Sequence, residues 1–314
     1  MSILVTGGAG FIGSHLVDAL LERGEAVTCL DNFDPFYDPA AKRRNVEQAS
    51  ATERFRLVEG DIRDAVLLRE LLEDGSIRCV VHLAARAGVQ PSLRDALAYH
   101  EANVTGTVTL LEAIRESEVE LLIFGGSSSV YGGNPNVPFS EDEELVGQIS
   151  PYAASKRAAE LYCYTYHHLY GIPTTCLRFF TVHGPRQRPD LAIHLFTHKI
   201  LAGETITIYG DQSRDCTYVS DIIDGVLAAI DRPFDFEIIN LGDSRPVTVR
   251  QMIAAIEEAT GRTANIEHAA ARPGDPPTTY ADISKAGRLL GYAPKVPLEE
   301  GVRRFVEWHA AAEP

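Results

Sequence analysis

Along the first half of the 314-residue chain, short runs of β-branched and other apolar residues alternate with longer segments in which apolar positions recur every three to four residues. The runs ILVTG (3–7), AVTCLD (26–31), RFRLVEGD (54–61), RCVVHLA (78–84) and LLIFGG (121–126) predict strands. The periodicity of 11–23, 64–73 and 99–117 predicts helices, with Asp64 and Ser92 at or near helix N-caps. Such alternation implies right-handed βαβ units, and so an α/β fold with a doubly wound parallel sheet covered on both faces. After residue 178 the pattern loosens. Pro and Gly gather around 184–189, 203–210, 242–246 and 272–277, and helices are expected at 191–202, 220–231, 248–260 and 299–311. The expected division is a first domain over 1–178, with a return segment near 215–240, and a smaller, discontinuous α/β lobe over 179–314.

Composition narrows the function. A content of 45% hydrophobic and 23% charged residues is that of a globular, enzyme-sized protein. The formal net charge of −15 repels a phosphate backbone, which argues against nucleic acid as a partner and requires local arginines for any anionic ligand. Five scattered cysteines (Cys29, Cys79, Cys163, Cys176, Cys216) show no metal spacing and read as reduced thiols in a cytoplasmic protein. The 10 histidines form no ligand cluster, so no metal is expected. The chain opens on a strand-like run without a basic, apolar leader, and no apolar run reaches the ~18–20 residues of a membrane span.

The segment TGGAGFIG places Gly7, Gly10 and Gly13 between the first strand and the first helix. Glycine permits the tight turn and the close approach of backbone to a pyrophosphate, and the helix start offers free N–H groups. Asp31 ends the second strand, where a carboxylate accepts hydrogen bonds from an adenosine ribose diol and repels a 2′-phosphate. The cofactor is therefore read as NAD, on a Rossmann-type sheet. Asp61, in GDI, either meets the adenine or caps the next helix. In SPYAASKRAAELY, Tyr152 and Lys156 stand four residues apart, on one face of a helix.

TGGAGFIG, HLAA at 82–85, the serine run before VYG, and YAASK together resemble the extended short-chain dehydrogenase/reductase family over essentially the whole chain. Within it the chain is most similar to the nucleotide-sugar 4-epimerases, in particular those acting on UDP-glucuronic acid. The resemblance implies that Phe11, Ile12, Asn32, Ile62, Leu83, Ala84 and Ala85 join the glycines, Asp31 and Asp61 around the cofactor. It makes Tyr152 the base that takes the sugar O4 proton as C4 gives up hydride, Ser127 the relay at the same oxygen, and Lys156 the holder of the nicotinamide ribose. A free tyrosine titrates near ~10, so a base near neutrality asks the site for about 4 kcal/mol, expected from Lys156 and the cationic ring.

Members that dehydrate a 4-keto sugar carry an Asp–Glu pair after this Ser, and those that decarboxylate carry a Glu just before VYG. Here Ser128 and Ser129 hold those positions, which fits an isomerase rather than a lyase. The resemblance also assigns Arg214 and Arg272 to the UDP phosphates and Asp275 to the uridine ribose. Thr181, Arg186, Arg188 and the serines are assigned to the sugar end, with Arg188 on its C6 carboxylate. His183, Arg86, Gln90 and Cys216 depart from the subgroup's pattern and are expected on the substrate side, with His183 read rather as a loop residue without a chemical role. The apolar stripes of 99–117 and 152–170 lack a covering segment, and in this family such helices pair subunits, so a homodimer is expected. Competing readings are a UDP-glucose/UDP-galactose 4-epimerase, a UDP-glucuronate decarboxylase or nucleotide-sugar dehydratase, and an NAD-binding sensor without turnover.

Overall fold

A computed structural model describes residues 2–210 and 212–312. Its strands in chain order are β1 (Ser2–Thr6), β2 (Ala26–Asp31), β3 (Phe55–Glu59), β4 (Ile77–His82), β5 (Leu121–Ser127), β6 (Thr174–Phe179), β7 (Thr181–His183), β8 (Thr205–Tyr209), β9 (Ser213–Tyr218), β10 (Phe236–Leu241), β11 (Pro246–Thr248), β12 (Asn265–Ala269) and β13 (Thr278–Thr279). Seven of them form one sheet in the order β10-β6-β5-β4-β1-β2-β3, with every neighbouring pair parallel. Helices on both faces bury Ile3, Leu4, Val5, Val80, Val81, Leu122 and Ile123, which is why these strands read as unbroken apolar runs. The strand order reverses between β1 and β4, opening a crevice at the carboxyl ends of the strands.

The strands expected from the apolar runs lie within about two residues of the observed ones. Asp64 caps the helix Ala65–Leu72, accepting from the N–H groups of Val66 and Leu67. Ser92 is no N-cap. It closes a short helix, Val89–Ser92, and its hydroxyl donates back to the Val89 carbonyl (2.6 Å), while Asp95 caps the next helix by accepting from Ala98 N–H. The single helix expected over 99–117 is divided. Ala96–His100 and Gly106–Arg115 flank a widened π turn, Glu101–Thr105. At the turn, the Asn103 amide bonds both N–H and carbonyl of Arg86 and reaches the Ser155 hydroxyl, while Gly106 packs so closely on Ile62 that a Cβ would sit 2.4 Å from its Cδ1.

Beyond β6 the chain builds a second group of strands. β9 pairs with β7, β11 and β13, and β8 pairs with β12. The helices Ala192–Ala202, Val249–Thr260 and Leu298–Ala312 bury Ile193, Met252, Ile256 and Phe305 against one another and against β8 and β9. Between these strands the chain returns to the large sheet: the helix Val219–Asp231 packs Ile222 and Val226 beside Leu177, and β10 pairs with β6.

Candidate active site

The crevice at the carboxyl ends of the strands is a cleft of about 500 Å³. At its nucleotide end, Gly7 adopts φ +72°, and a Cβ there would lie 2.7 Å from Ala84 N. A Cβ on Gly13 would lie 2.2 Å from the Gly7 carbonyl oxygen, so only glycine lets the loop fold back on the helix. The helix Phe11–Glu22 starts at Gly10 with no side-chain cap, and Phe11, Ile12 and Gly13 line the cleft, leaving the helix start to an anionic ligand. Asp31 accepts from Phe33 N–H (2.9 Å) and Ala9 N–H (3.2 Å), with Lys42 Nζ at 4.0 Å. Burial pushes its carboxyl upward, and Lys42 and the two N–H groups oppose this.

Asp61 also lines the cleft rather than capping a helix. Arg63 grips it bidentately and Asn32 donates to it at 2.9 Å, which holds its carboxyl at about 2. Ile62, Leu83, Ala84 and Ala85 complete this wall. The uncapped helix start, the glycine cradle and the carboxylate at the end of β2 fit a dinucleotide with a free ribose diol.

The helix Pro151–Tyr170 begins where the sequence says it must, with Ser150 accepting from Ala153 N–H and Pro151 in the first turn. Tyr152 and Lys156 project into the cleft beside Ser127, which ends β5. Ser127 stands beside the Tyr152 phenol in the cleft, and its hydroxyl accepts from Ser129 N–H at 3.2 Å. Burial raises the Tyr152 phenol above its usual value, while Ser127 and then Arg188 draw it down. Lys156 is not among the groups that do so. Its Nζ donates to the Gly125 carbonyl (2.7 Å) and lies 5.2 Å from the Phe124 ring, and burial lowers its ammonium to about 8. The Tyr99 ring packs edge-on to Tyr152 at 6.0 Å.

Ser128, Ser129, Thr181 and Arg188 line the same cleft. Arg188 donates Nε and Nη2 to Asp190 (2.9 and 2.6 Å) and Nη2 to the Ala87 carbonyl (3.1 Å), and its guanidinium lies 5.1 Å from the Phe36 ring. Arg186 does not enter. Its backbone takes φ +64°, and the side chain turns back to pair with Asp18 at 2.7 Å, pinning its loop to the first helix. Arg214, Arg272 and Asp275 lie outside the cleft lining. Arg214 bonds Ser213 O, Gln212 Oε1 and Pro277 O, Arg272 covers the Tyr209 ring at 3.5 Å, and Asp275 accepts from Gln90 at 3.2 Å. The loop carrying Arg272 and Asp275 approaches the cleft at Gly274, where a Cβ would lie 3.4 Å from cleft-lining Val89.

Residues 4–305 match the protein family described as GDP-mannose 4,6 dehydratase. A UDP-glucuronate 4-epimerase of Thermodesulfobacterium geofontis is 42% identical over 308 residues, covering 97% of this chain and 95% of that protein. This chain belongs to that family, within the extended short-chain dehydrogenases/reductases. The crystal structure of a Bacillus cereus UDP-glucuronic acid 4-epimerase in complex with UDP-glucuronic acid and NAD superposes with a TM-score of 0.94 at 38% identity, covering 99% of this chain and all of that one. A Thermotoga maritima UDP-glucose 4-epimerase with UDP-glucose superposes at 0.91 with 34% identity, covering both chains fully.

Two departures from the family pattern do not lie on the substrate side. His183 is fully buried in β7, edge-on to Tyr218, with its imidazole lowered to about 4 by burial. Cys216, paired with Thr181 across β7 and β9, packs among Ile193, Ile208 and Phe305. Both are buried on short strands, a placement set by the β7–β9 pairing and invisible in the loop-like sequence. Arg86 does line the cleft, paired with Asp34 at 3.0 Å, and Gln90 holds Asp275.

Sequence reasoning missed Asp34, Tyr37, Lys42, Arg63 and Glu101 as cleft residues. Three of them come from 31–46, a segment that folds over the cleft because Asp38 and Pro39 start the helix Pro39–Asn45 and turn Lys42 inward.

Proposed function

We propose that this protein converts UDP-glucuronic acid to UDP-galacturonic acid by NAD-dependent epimerisation at C4. One observation carries the reading. Ser127, Tyr152 and Lys156 converge in the cleft that holds the glycine turn and Asp31, with hydroxyls at Ser128 and Ser129 where acid–base chemistry at C5 or C6 would need carboxylates. NAD, when bound, supplies the acceptor and later the donor of the C4 hydride.

Tyr152 takes the O4 proton, and Ser127, beside that phenol in the cleft, shares the proton and fixes the oxygen's position. Lys156, buried on the adjacent turn, holds the nicotinamide ribose from the side of Gly125. The 4-keto sugar swings about its diphosphate link, and Tyr152 returns the proton after hydride reaches the other face. A 4-keto uronate is a β-keto acid prone to lose CO2. Arg188, Thr181 and the serines grip the C6 carboxylate and keep the C5–C6 bond out of line with the ketone π system. Arg214 and Arg272 hold the diphosphate and Asp275 the uridine ribose, at the rim where that loop approaches Val89.

The chain is read as an NAD-binding domain, 1–178 with the returning segment, and a UDP-sugar lobe, 179–314. Leu97, Leu161, Tyr162, Tyr164 and Leu169 leave large apolar surface exposed on neighbouring helices, which supports a homodimer. No helix of the described residues is long and apolar enough to cross a membrane, and a cytoplasmic setting suits the nucleotide cofactor and five free cysteines.

A second reading has its own support. Arg188 is already satisfied by Asp190 without any substrate carboxylate, as a site for a neutral sugar would allow. The test is incubation of the purified protein with UDP-glucuronic acid, without added cofactor, with products read by NMR. UDP-galacturonic acid near an equilibrium mixture supports the proposal. No change there, with UDP-glucose converted to UDP-galactose, keeps the mechanism and moves the substrate. A UDP-pentose as the main product assigns a decarboxylase.

A further inference from the structure

Behind the serine turn lies a buried ion pair that none of the steps above uses. Arg178 on β6 and Glu160 on the helix Pro151–Tyr170 are each 1% exposed. The guanidinium meets the carboxylate through two bonds, Nε to Oε2 at 2.9 Å and Nη2 to Oε1 at 2.8 Å. Its remaining nitrogen, Nη1, donates to the Tyr131 hydroxyl at 2.9 Å. That hydroxyl donates to Asn240 Oδ1 on β10 at 2.7 Å, and the Asn240 amide closes the chain on the Phe139 carbonyl at 2.9 Å.

The three elements joined here carry the three parts of the site. Glu160 follows Lys156 by four residues and Tyr152 by eight, so all three share a helix face. Tyr131 ends the turn Ser128–Tyr131, which starts at Ser127. Arg178 lies on the strand that runs through Phe179 and Phe180 to Thr181. Taking two charges out of water costs several kcal/mol each, and apolar side chains fill such volume at no loss of stability, so a pair of this kind is better suited to fixing geometry than to strengthening a core.

We propose that Arg178, Glu160, Tyr131 and Asn240 form a positioning network that sets the distance between Ser127 and Tyr152 for proton transfer at the sugar O4. The role attributed to that transfer rests on the epimerase reading, so one readout must not depend on turnover.

Tyr131→Phe removes the shared hydroxyl and keeps the ring, which is stacked on Phe139 at 4.6 Å. The network requires kcat to fall about ten- to a hundredfold. KM, the NAD co-purifying with the protein and the thermal midpoint should stay near wild type. The second readout is the ultraviolet titration of the Tyr152 phenolate, taken as the difference between each protein and its Tyr152→Phe counterpart. The groups facing that phenol are Ser127, Arg188, Tyr99 and, one turn away, Lys156. Moving Ser127 away weakens an interaction that favours the phenolate, so the titration should move to higher pH in Tyr131→Phe.

Arg178→Lys keeps the charge opposite Glu160 and loses the fork. It should behave like Tyr131→Phe, and the double variant should be no worse than the poorer single one. An unchanged titration, fully additive losses, or a joint fall of kcat, NAD content and thermal midpoint would overturn the proposal. A wild-type protein inactive on UDP-sugars would sink the epimerase reading, while the titration would still decide the network.

Discussion

Replacing Lys156 by Met should abolish turnover and also remove a pH-dependent weakness from the fold. The side chain is 5% exposed, and burial takes its ammonium from the usual 10.5 to about 8. That difference corresponds to about 3 kcal/mol against the charged form in the folded chain. Below pH 8 the folded and unfolded chains both carry the proton, and the folded chain bears the whole penalty. Between about 8 and 10.5 the unfolded chain keeps a proton that the folded chain has released, so wild-type stability gains with pH from this group. Above 10.5 the penalty is gone. Lys156→Met has no group titrating there.

Removing the donor to Gly125 adds an offset of about 1–3 kcal/mol in the opposite direction, but the offset does not vary with pH. The stability difference between the two proteins should therefore change by about 3 kcal/mol from about pH 7 to about pH 11, the variant being relatively better at the lower pH. Urea unfolding followed by the single tryptophan, Trp308, with no nucleotide added, measures it. A difference that stays constant across that range would refute the claim that Lys156 is held against its own charge.

Gly13→Ala drives a Cβ to 2.2 Å from the Gly7 carbonyl and should strip the protein of NAD at about 1–3 kcal/mol of strain, checked by assaying nucleotide released on denaturation. Arg188→Ala removes a charged partner worth about 1.5–3 kcal/mol, so KM for UDP-glucuronic acid should rise at least about tenfold and a UDP-pentose by-product should grow. Unchanged kinetics with a clean product spectrum by NMR would count against the carboxylate grip. Arg186→Ala breaks only a half-buried pair with Asp18, and turnover should stay within about twofold of wild type by the same assay.

The chain by itself determined whatever is local or periodic. The apolar runs at 3–7, 26–31 and 121–126 named their strands because a strand covered on both faces must be apolar throughout. Gly7, Gly10, Gly13 and Asp31 could be picked out as members of one cleft, because a turn this tight leaves no room for a Cβ at Gly7 or Gly13. Tyr152 and Lys156 were legible as one face of one helix, and Asp64 as a cap. Tertiary structure decided what depends on partners far away in sequence. Arg186 and Arg188 look equivalent on paper, yet an acid 168 residues away captures the first, while the Ala87 carbonyl and the Phe36 ring hold the second in the cleft. His183 and Cys216 read as loop residues beside a substrate, and the pairing of β7 with β9 turned them into a core. The Lys156 ammonium, likewise, donates to a carbonyl 31 residues away on β5. Where a side chain's best partner lies on another element, the residue's identity sets what bond it can make, and the packing of the elements sets which one it makes.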